Sequence, residues 1–289
     1  MKRVFHMELH KALHSWFFLA AVCCGGLFAI LSFVDRVSNY FFGLGVLNMV
    51  DAAERMGYVK YPIVPMSTVY NEWLGGEGLS LGYTLFFTLL PLLAVLPYGY
   101  SFSEELRGGY LKMVVPKCGR RCYFLAKAGA SFLSGGLAVT IPLAASLFFC
   151  FLIFPAAKPN VIYDQYFPFT HSSMLAGLVY SHPLLYMLLY LGIDFVFAGL
   201  FACLSISSVF FFRQRLASVV LPFLFVLGCD MLRSFGTYVS YVEISPMRLM
   251  HAVPTANFIK APVLLGWLCL FVLLTLPLIL YRGCKHEIF

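Results

Sequence analysis

The sequence predicts an all-α polytopic membrane protein with six transmembrane helices and both termini on the inner side. Three observations predict it: the composition, the spacing of the apolar runs, and the distribution of basic residues. Of 289 residues, 61% are hydrophobic and 11% charged, where an ordinary soluble domain carries about 25% charged residues. A soluble chain of this length needs a polar surface that such a composition can hardly supply, and lipid removes the need. Phe occurs 30 times and Tyr 17 times, which suits lipid-facing surface and its interfacial borders. The net charge of +7 comes without a dense basic arm interleaved with exposed aromatics, so nucleic acid is not an expected partner.

Residues 1–15 predict an amphipathic helix on the inner membrane surface, carrying Lys2, Arg3, His6, His10, Lys11 and His14. His6, His10 and His14 stand four residues apart and so share one helical face. With Glu8 nearby, a metal or proton-relay site is the alternative reading. The first apolar run, 16–34, is longer than the core of a secretory signal peptide, about 7–15 residues, and further spans follow it. It therefore reads as a retained helix. Residues 35–78 form a mixed outer loop. Its stretch from Tyr40 to Met56 has apolar residues on one side, interrupted by Asp51, Glu54 and Arg55, and reads as an interfacial or packed helix. Pro62, Pro65 and the cluster Gly75-Gly76-Glu77-Gly78 then break regular structure.

The second span is 79–100, with Pro91 and Pro97 inside it. A polar segment, 101–122, follows. Span three is 123–154, span four 183–212, span five 216–234 and span six 263–281. Between spans three and four, residues 155–182 are a wet loop. Only a short basic turn, Arg213-Gln214-Arg215, separates spans four and five, and helix length forces that division, because one helix of more than 50 residues would far exceed a bilayer.

With the N-terminus inside, the inner segments hold Lys2, Arg3, Lys11, Arg107, Lys112, Lys117, Arg120, Arg121, Lys127, Arg213, Arg215, Arg282 and Lys285. The outer side holds Arg36, Arg55, Lys60, Lys158, Arg233, Arg248 and Lys260. The excess of inner Lys and Arg sets the orientation. The nine cysteines avoid the three outer loops, so no extracellular disulfide scaffold is expected. Cys118 and Cys122 lack the matched second pair that a thiolate metal site needs. No His-Glu-x-x-His, Gly-x-Ser-x-Gly or P-loop pattern occurs, so neither a catalytic centre nor a nucleotide site is expected in this chain.

Ionisable residues inside spans mark a bundle interior or a cavity, because charge is costly in hydrocarbon. Asp194 falls in span four. Asp230 falls in span five with Arg233 three residues on, close enough for an intrahelical pair. These three are candidates for polar contacts between helices, for the lining of a translocation path or substrate cavity, or for a proton relay. Span three carries Ala126, Ala130, Ser134 and Ala138 at four-residue spacing, a stripe that permits close helix approach within one chain or across a dimer.

The 101–122 segment begins acidic, passes two glycines and turns basic. Glu104 and Glu105 sit near the start of a short helix, where the dipole favours negative charge. Gly108-Gly109 breaks or bends that helix, and the later basic residues can meet lipid headgroups.

The run Glu104-Glu105-Leu106-Arg107-Gly108-Gly109-Tyr110-Leu111-Lys112, followed by Gly119-Arg120-Arg121-Cys122-Tyr123-Phe124-Leu125-Ala126-Lys127, resembles the region between the second and third spans of ABC-2 type transporter permeases. The six-span layout and the polar N-terminal helix extend the resemblance over nearly the whole chain. It implies a bacterial cytoplasmic-membrane protein that pairs with a second permease, identical or homologous, and with a cytoplasmic ABC ATPase subunit. ATP and Mg would bind that partner, and no cofactor would bind this chain. It implies that Glu104, Glu105, Leu106, Arg107, Gly108 and Gly109 form a coupling helix that touches the ATPase, and that Lys2 to His14 form an elbow helix. The expected function is ATP-driven export of an amphipathic or apolar substrate, such as a peptide, antibiotic or lipid, through a cavity between two permeases. A self-contained secondary transporter or channel, and a non-transporting anchor or sensory subunit, are the alternatives.

Overall fold

Ser15 decides where the N-terminal helix stops and the first long helix starts. Its hydroxyl caps the new helix by accepting the Phe18 N–H at 3.1 Å. The same group donates to Ala12 O at 2.9 Å, with Pro97 O also within reach at 3.2 Å. One side chain thus divides α1 (Lys2–Leu13) from α2 (Trp16–Arg55) and fastens their junction to the turn after α4 (Leu81–Val95).

The computed structural model describes residues 2–55, 67–158, 174–212, 214–240, 242–252 and 259–285, with backbone alone for 46–55, 215, 232–240, 282, 284 and 285. The chain is all-helical. Beyond the three helices already given, it forms α3 (Val69–Glu72), α5 (Ser101–Arg107), α6 (Tyr110–Cys118), α7 (Arg120–Ile153), α8 (Ala176–Ser181), α9 (Pro183–Val209), α10 (Arg215–Ser240), a 3-10 turn at Arg248–Met250, and α11 (Ala261–Lys285). Four stretches, Trp16–Gly45, Arg120–Ile153, Pro183–Val209 and Ala261–Tyr281, are long and apolar enough to cross a membrane. Leu81–Val95 and Leu216–Met231 are shorter apolar helices.

Two sets of contacts define the ends of the bundle. At the α1 end, Ser15 meets Pro97, Lys127 of α7 meets Tyr98, and Ser208 of α9 bonds Ser218 O of α10 at 3.3 Å. At the far end, Ser32 of α2 meets Glu77, Val69 N–H meets Pro155 O at 3.2 Å, and Tyr186 of α9 donates to Ala252 O at 2.8 Å. The long apolar helices therefore run alternately up and down between these ends.

Helix bounds differ from the sequence expectations in ways that have local causes. α2 does not stop at residue 34. It continues to Arg55, because no proline or turn cluster interrupts 35–55 and Arg36 finds acidic partners at the far end. The expected separate helix from Tyr40 to Met56 is the outer part of α2 through Arg55, and residues 56–66, with Lys60, Pro62 and Pro65, lie outside the described residues. α4 ends at Val95 rather than 100, since Pro97 has no N–H to continue the ladder, and residues 96–100 close by turn bonds such as Gly99 N–H to Val95 O at 2.8 Å. α7 starts at Arg120 directly after Gly119. α9 stops at Val209, α10 reaches Ser240, and α11 spans Ala261–Lys285. Of the loop 155–182, residues 159–173 lie outside the described residues, as does Arg213.

α7 and α9 form the centre of the bundle. Ala126, Ala130, Ser134 and Ala138 are all buried, so the small-residue stripe serves packing inside this chain. Beside it, Gly135 lets three helices meet. A Cβ there would lie 2.5 Å from Ala202 Cβ of α9 and 2.7 Å from Ala94 O of α4. α2 and α11 are peripheral, with outward Leu27, Ile30, Leu265 and Leu273.

Gly135→Val is expected to lower stability by about 3 kcal/mol, because backbone of α4 must move to admit the side chain. Gly192→Ala, where nothing lies within 4 Å, should stay within about 1 kcal/mol of the parent. Chemical or thermal unfolding in detergent compares the two.

Candidate functional site

The buried face of α1 carries an unexpected residue. Glu8 and Ala12 are its buried side chains, and a lone carboxylate in such a place is strongly unfavourable. Lys127, one of the charged residues of α7 and itself 0% exposed, answers it at 3.3 Å. Lys127 Nζ also lies 2.7 Å from Glu105 Oε2 of α5. It donates to Ser101 Oγ at 2.7 Å and to Tyr98 OH at 3.3 Å. Tyr98 donates to Glu8, and Tyr123 of α7 donates to Glu105. Lys11 completes the balance at the solvent edge, 3.4 Å from Glu105 and 3.7 Å from Glu8. Its ammonium sits 4.0 Å from the centre of the Tyr110 ring. Burial opposes the charge of Lys11, but Tyr110, Glu105 and Glu8 outweigh it and hold its pKa above the ordinary lysine value.

Two carboxylates and two ammonium groups therefore form one neutral node, joining α1, the 98–101 turn, α5 and α7. An apolar seam reinforces it: Phe102, Leu111, Val115, Tyr123, Phe124 and Ile206 pack together, with Leu106 against them. Gly109, at φ 69°, adopts the left-handed turn that separates α5 from α6. The segment expected as one short helix is thus a helical hairpin, bent where Gly108-Gly109 predicted.

The hairpin divides the expected coupling residues by role. Glu105 is held in the node. Leu106 and Glu104 are half-buried. Arg107, Gly108, Lys112, Met113 and Lys117 are exposed at the α1 end. In α1, Lys2, Arg3, His6, His10, Lys11 and His14 are exposed. The His10 and His14 rings stack at 3.9 Å, so the histidines do share the outer face.

A second polar cluster lies at the far end. Arg36 of α2 pairs with Glu77 and reaches Glu72 at 3.9 Å. Ser32 and Ser80 both donate to Glu77, Ser80 at 2.5 Å. Burial raises the pKa of Glu77 and of Glu72, against the opposing pull of hydroxyl partners and Arg36. Nearby, Tyr83 bonds His251 Nδ1. Burial, helped by Arg248, pushes the His251 pKa down to about 3.

Asp194 is 1% exposed inside the bundle. Asp230 is bound by Ser245 Oγ at 2.7 Å and faces Arg248 Nε at 3.7 Å. Asp230 thus has partners on the following loop, and the expected pair with Arg233 falls on a side chain outside the described residues. Asp194, Asp230 and the α1-end node are not brought together. Among the described residues no three His, Cys, Asp or Glu are placed to hold a metal ion, and the eight described cysteines are free.

Sequence reasoning passed over Glu8 and Lys127 as a pair. The signal was present: Lys127 falls five residues into the expected third span, where an ion needs a partner. Comparison with known proteins finds no matching family model, no matching curated protein and no matching solved structure.

Lys127→Met is expected to lose about 3–5 kcal/mol, since two buried carboxylates lose their shared cation. Adding Glu8→Gln and Glu105→Gln should recover most of that loss in the same unfolding assay. A triple variant no more stable than the single one means the node is held by something other than charge.

His251 gives a pH dependence of defined sign. The fold keeps its ring neutral, while the unfolded chain protonates near the ordinary 6.5. Its contribution is complete above that value and is lost as pH falls from 6.5 toward about 3. Glu72 and Glu77 act in the opposite direction: their contribution is present below the ordinary carboxyl value and lost as pH rises through the raised one. His251→Gln should therefore flatten the acid side of the stability profile and leave the neutral side unchanged in slope.

Proposed function

We propose that this chain is the membrane-spanning subunit of an ATP-driven exporter of the ABC-2 type, in a cell membrane, with six crossings and both termini in the cytoplasm. One observation carries the reading: a polar helical hairpin, α5–α6, at the end of the bundle where the N-terminus lies, welded by Lys127 to α1 and α7. Six apolar helices alternating between two ends support the six crossings, with the short α4 and α10 as the second and fifth. The excess of Lys and Arg at the α1 end supports the orientation.

In this reading a cytoplasmic ATPase subunit grips the exposed side of the hairpin, at Arg107, Lys112 and Met113. The node makes the hairpin rigid, because drawing either carboxylate away from Lys127 breaks an ion pair of a fully buried ammonium. A push on α5–α6 then moves α1 and α7 together rather than bending the hairpin. Two such permeases rearranging as bodies would open a cavity for an amphipathic or apolar cargo. The chain itself does no covalent chemistry. A self-contained secondary transporter is the second reading, favoured by one feature, the buried Asp194.

Purification in mild detergent, with mass spectrometry of bound subunits, tests the leading reading. An ATPase at one copy per permease is expected, and Arg107→Glu with Met113→Asp should reduce its retention by about tenfold, some 1.4 kcal/mol, while leaving the fold intact. A protein that stays alone and moves solute in vesicles without ATP would sink it.

A further inference from the structure

The far half of the bundle holds a carboxylate that the packing leaves unanswered. Asp194 stands on α9, and its Oδ1 is buried without a hydrogen-bond partner. No ion pair reaches it among the described residues. This differs from the acids whose partners are given above: Glu8 and Glu105 have Lys127, Glu77 and Glu72 have Arg36, and Asp230 has Ser245 and Arg248.

Two phenols lie near it, and an imidazole stands beyond one of them. Tyr190 lies one turn earlier on the same face of α9. Tyr83 of α4 is within electrostatic reach of Asp194, as is Tyr190. Tyr83 in turn bonds His251 Nδ1, and His251 Nε2 is itself buried without a partner. Arg248 acts on both His251 and Tyr83 and is itself engaged with Asp230, and Glu77, paired with Arg36, also acts on Tyr83. The ionisable groups of the other packed helices lie elsewhere: Lys127 of α7 in the α1-end node, Asp230 of α10 on Ser245. The helix that carries Asp194 contributes Tyr186, Tyr190, Phe197 and Phe201 to the main hydrophobic core.

A carboxylate so placed is tolerable only with its charge removed or balanced. A metal would need more donors than one carboxylate and two phenols, and an anion would be repelled. The ligand that fits is the smallest cation. We propose that Asp194 is an internal proton-binding site, exchanging one proton with the far face of the bundle by way of the Tyr83–His251 pair. Loading moves one proton from solvent onto a carboxylate oxygen of Asp194 and abolishes its negative charge. Unloading leaves a bare carboxylate in the core of α4, α7 and α9, which disfavours the closed packing and favours a state that lets water or a counter-ion reach it. The inference is independent of the ATPase reading, since it concerns the interior of this chain alone.

Infrared difference spectroscopy of the purified protein in lipid, titrated from acid to alkaline pH, tests it. The expected result is a protonated-carboxyl band at neutral pH that disappears on alkalinisation and is missing in Asp194→Asn. His251→Gln and Tyr83→Phe should each change the proton affinity or the exchange rate of that band by about tenfold. A hydrophobic carbodiimide, mapped by mass spectrometry on the unaltered protein, should mark Asp194 at low pH and fail at high pH, which keeps the test open if Asp194→Asn folds poorly. No protonated-carboxyl band, or one that never ionises across the range, overturns the site. A band whose titration and exchange ignore both His251→Gln and Tyr83→Phe overturns the path.

Discussion

An ammonium group with no exposed surface, that of Lys127, sets the terms for one end of this protein. Its helix, α7, is the long central element against which α1, α2, α4, α9 and α11 all pack. A lysine seven residues into that helix cannot reach water, so its charge must be met from neighbouring elements. Glu8 comes from α1 and Glu105 from α5, with Ser101, Tyr98 and Tyr123 filling the remaining hydrogen-bond directions. The consequence is mechanical: the N-terminal helix, the hairpin and the central helix share one buried joint, and none can shift without exposing the others to an unpaired charge.

The far end solves a similar problem with a different partner. There the cation is Arg36, which belongs to the peripheral α2, and the acids belong to the connection between α2 and α4. The planar guanidinium suits two carboxylates at once, and the serines on either side of Glu77 supply further donors. The connection is thereby drawn against the bundle, with Trp73 sealed beneath it. The two ends are thus fastened by ions, and the middle by small residues and aromatic packing, where Gly135 and the alanine stripe let α4, α7 and α9 approach closely.

Between the fastened ends lies an acid to which no ion pair reaches among the described residues. Asp194 is buried on α9, with Tyr83 and Tyr190 within electrostatic reach. The ion pairs described elsewhere in the bundle leave this one unbalanced, and that contrast, more than burial alone, is the ground on which a functional role is proposed for it.

Much of this was legible in the sequence. The helical class, the apolar runs and the Gly108-Gly109 bend follow from local composition and spacing, because lipid demands apolar helices and glycine alone tolerates the left-handed turn without strain. The histidine face of α1 and the small-residue stripe of α7 follow from helical periodicity. The pairings did not. Glu8 and Lys127 are 119 positions apart, and Tyr83 and His251 are 168 apart. Which acid meets which base at such separations depends on how helices stack, and periodicity carries no information about the neighbour. For the same reason the partners of Asp230 on the loop after its helix, Ser245 and Arg248, could not be read from spacing. The sequence by itself determined which residues had to be buried and that the ions among them needed partners. Only the tertiary structure decided who those partners were, and that no ion pair reaches Asp194 among the described residues.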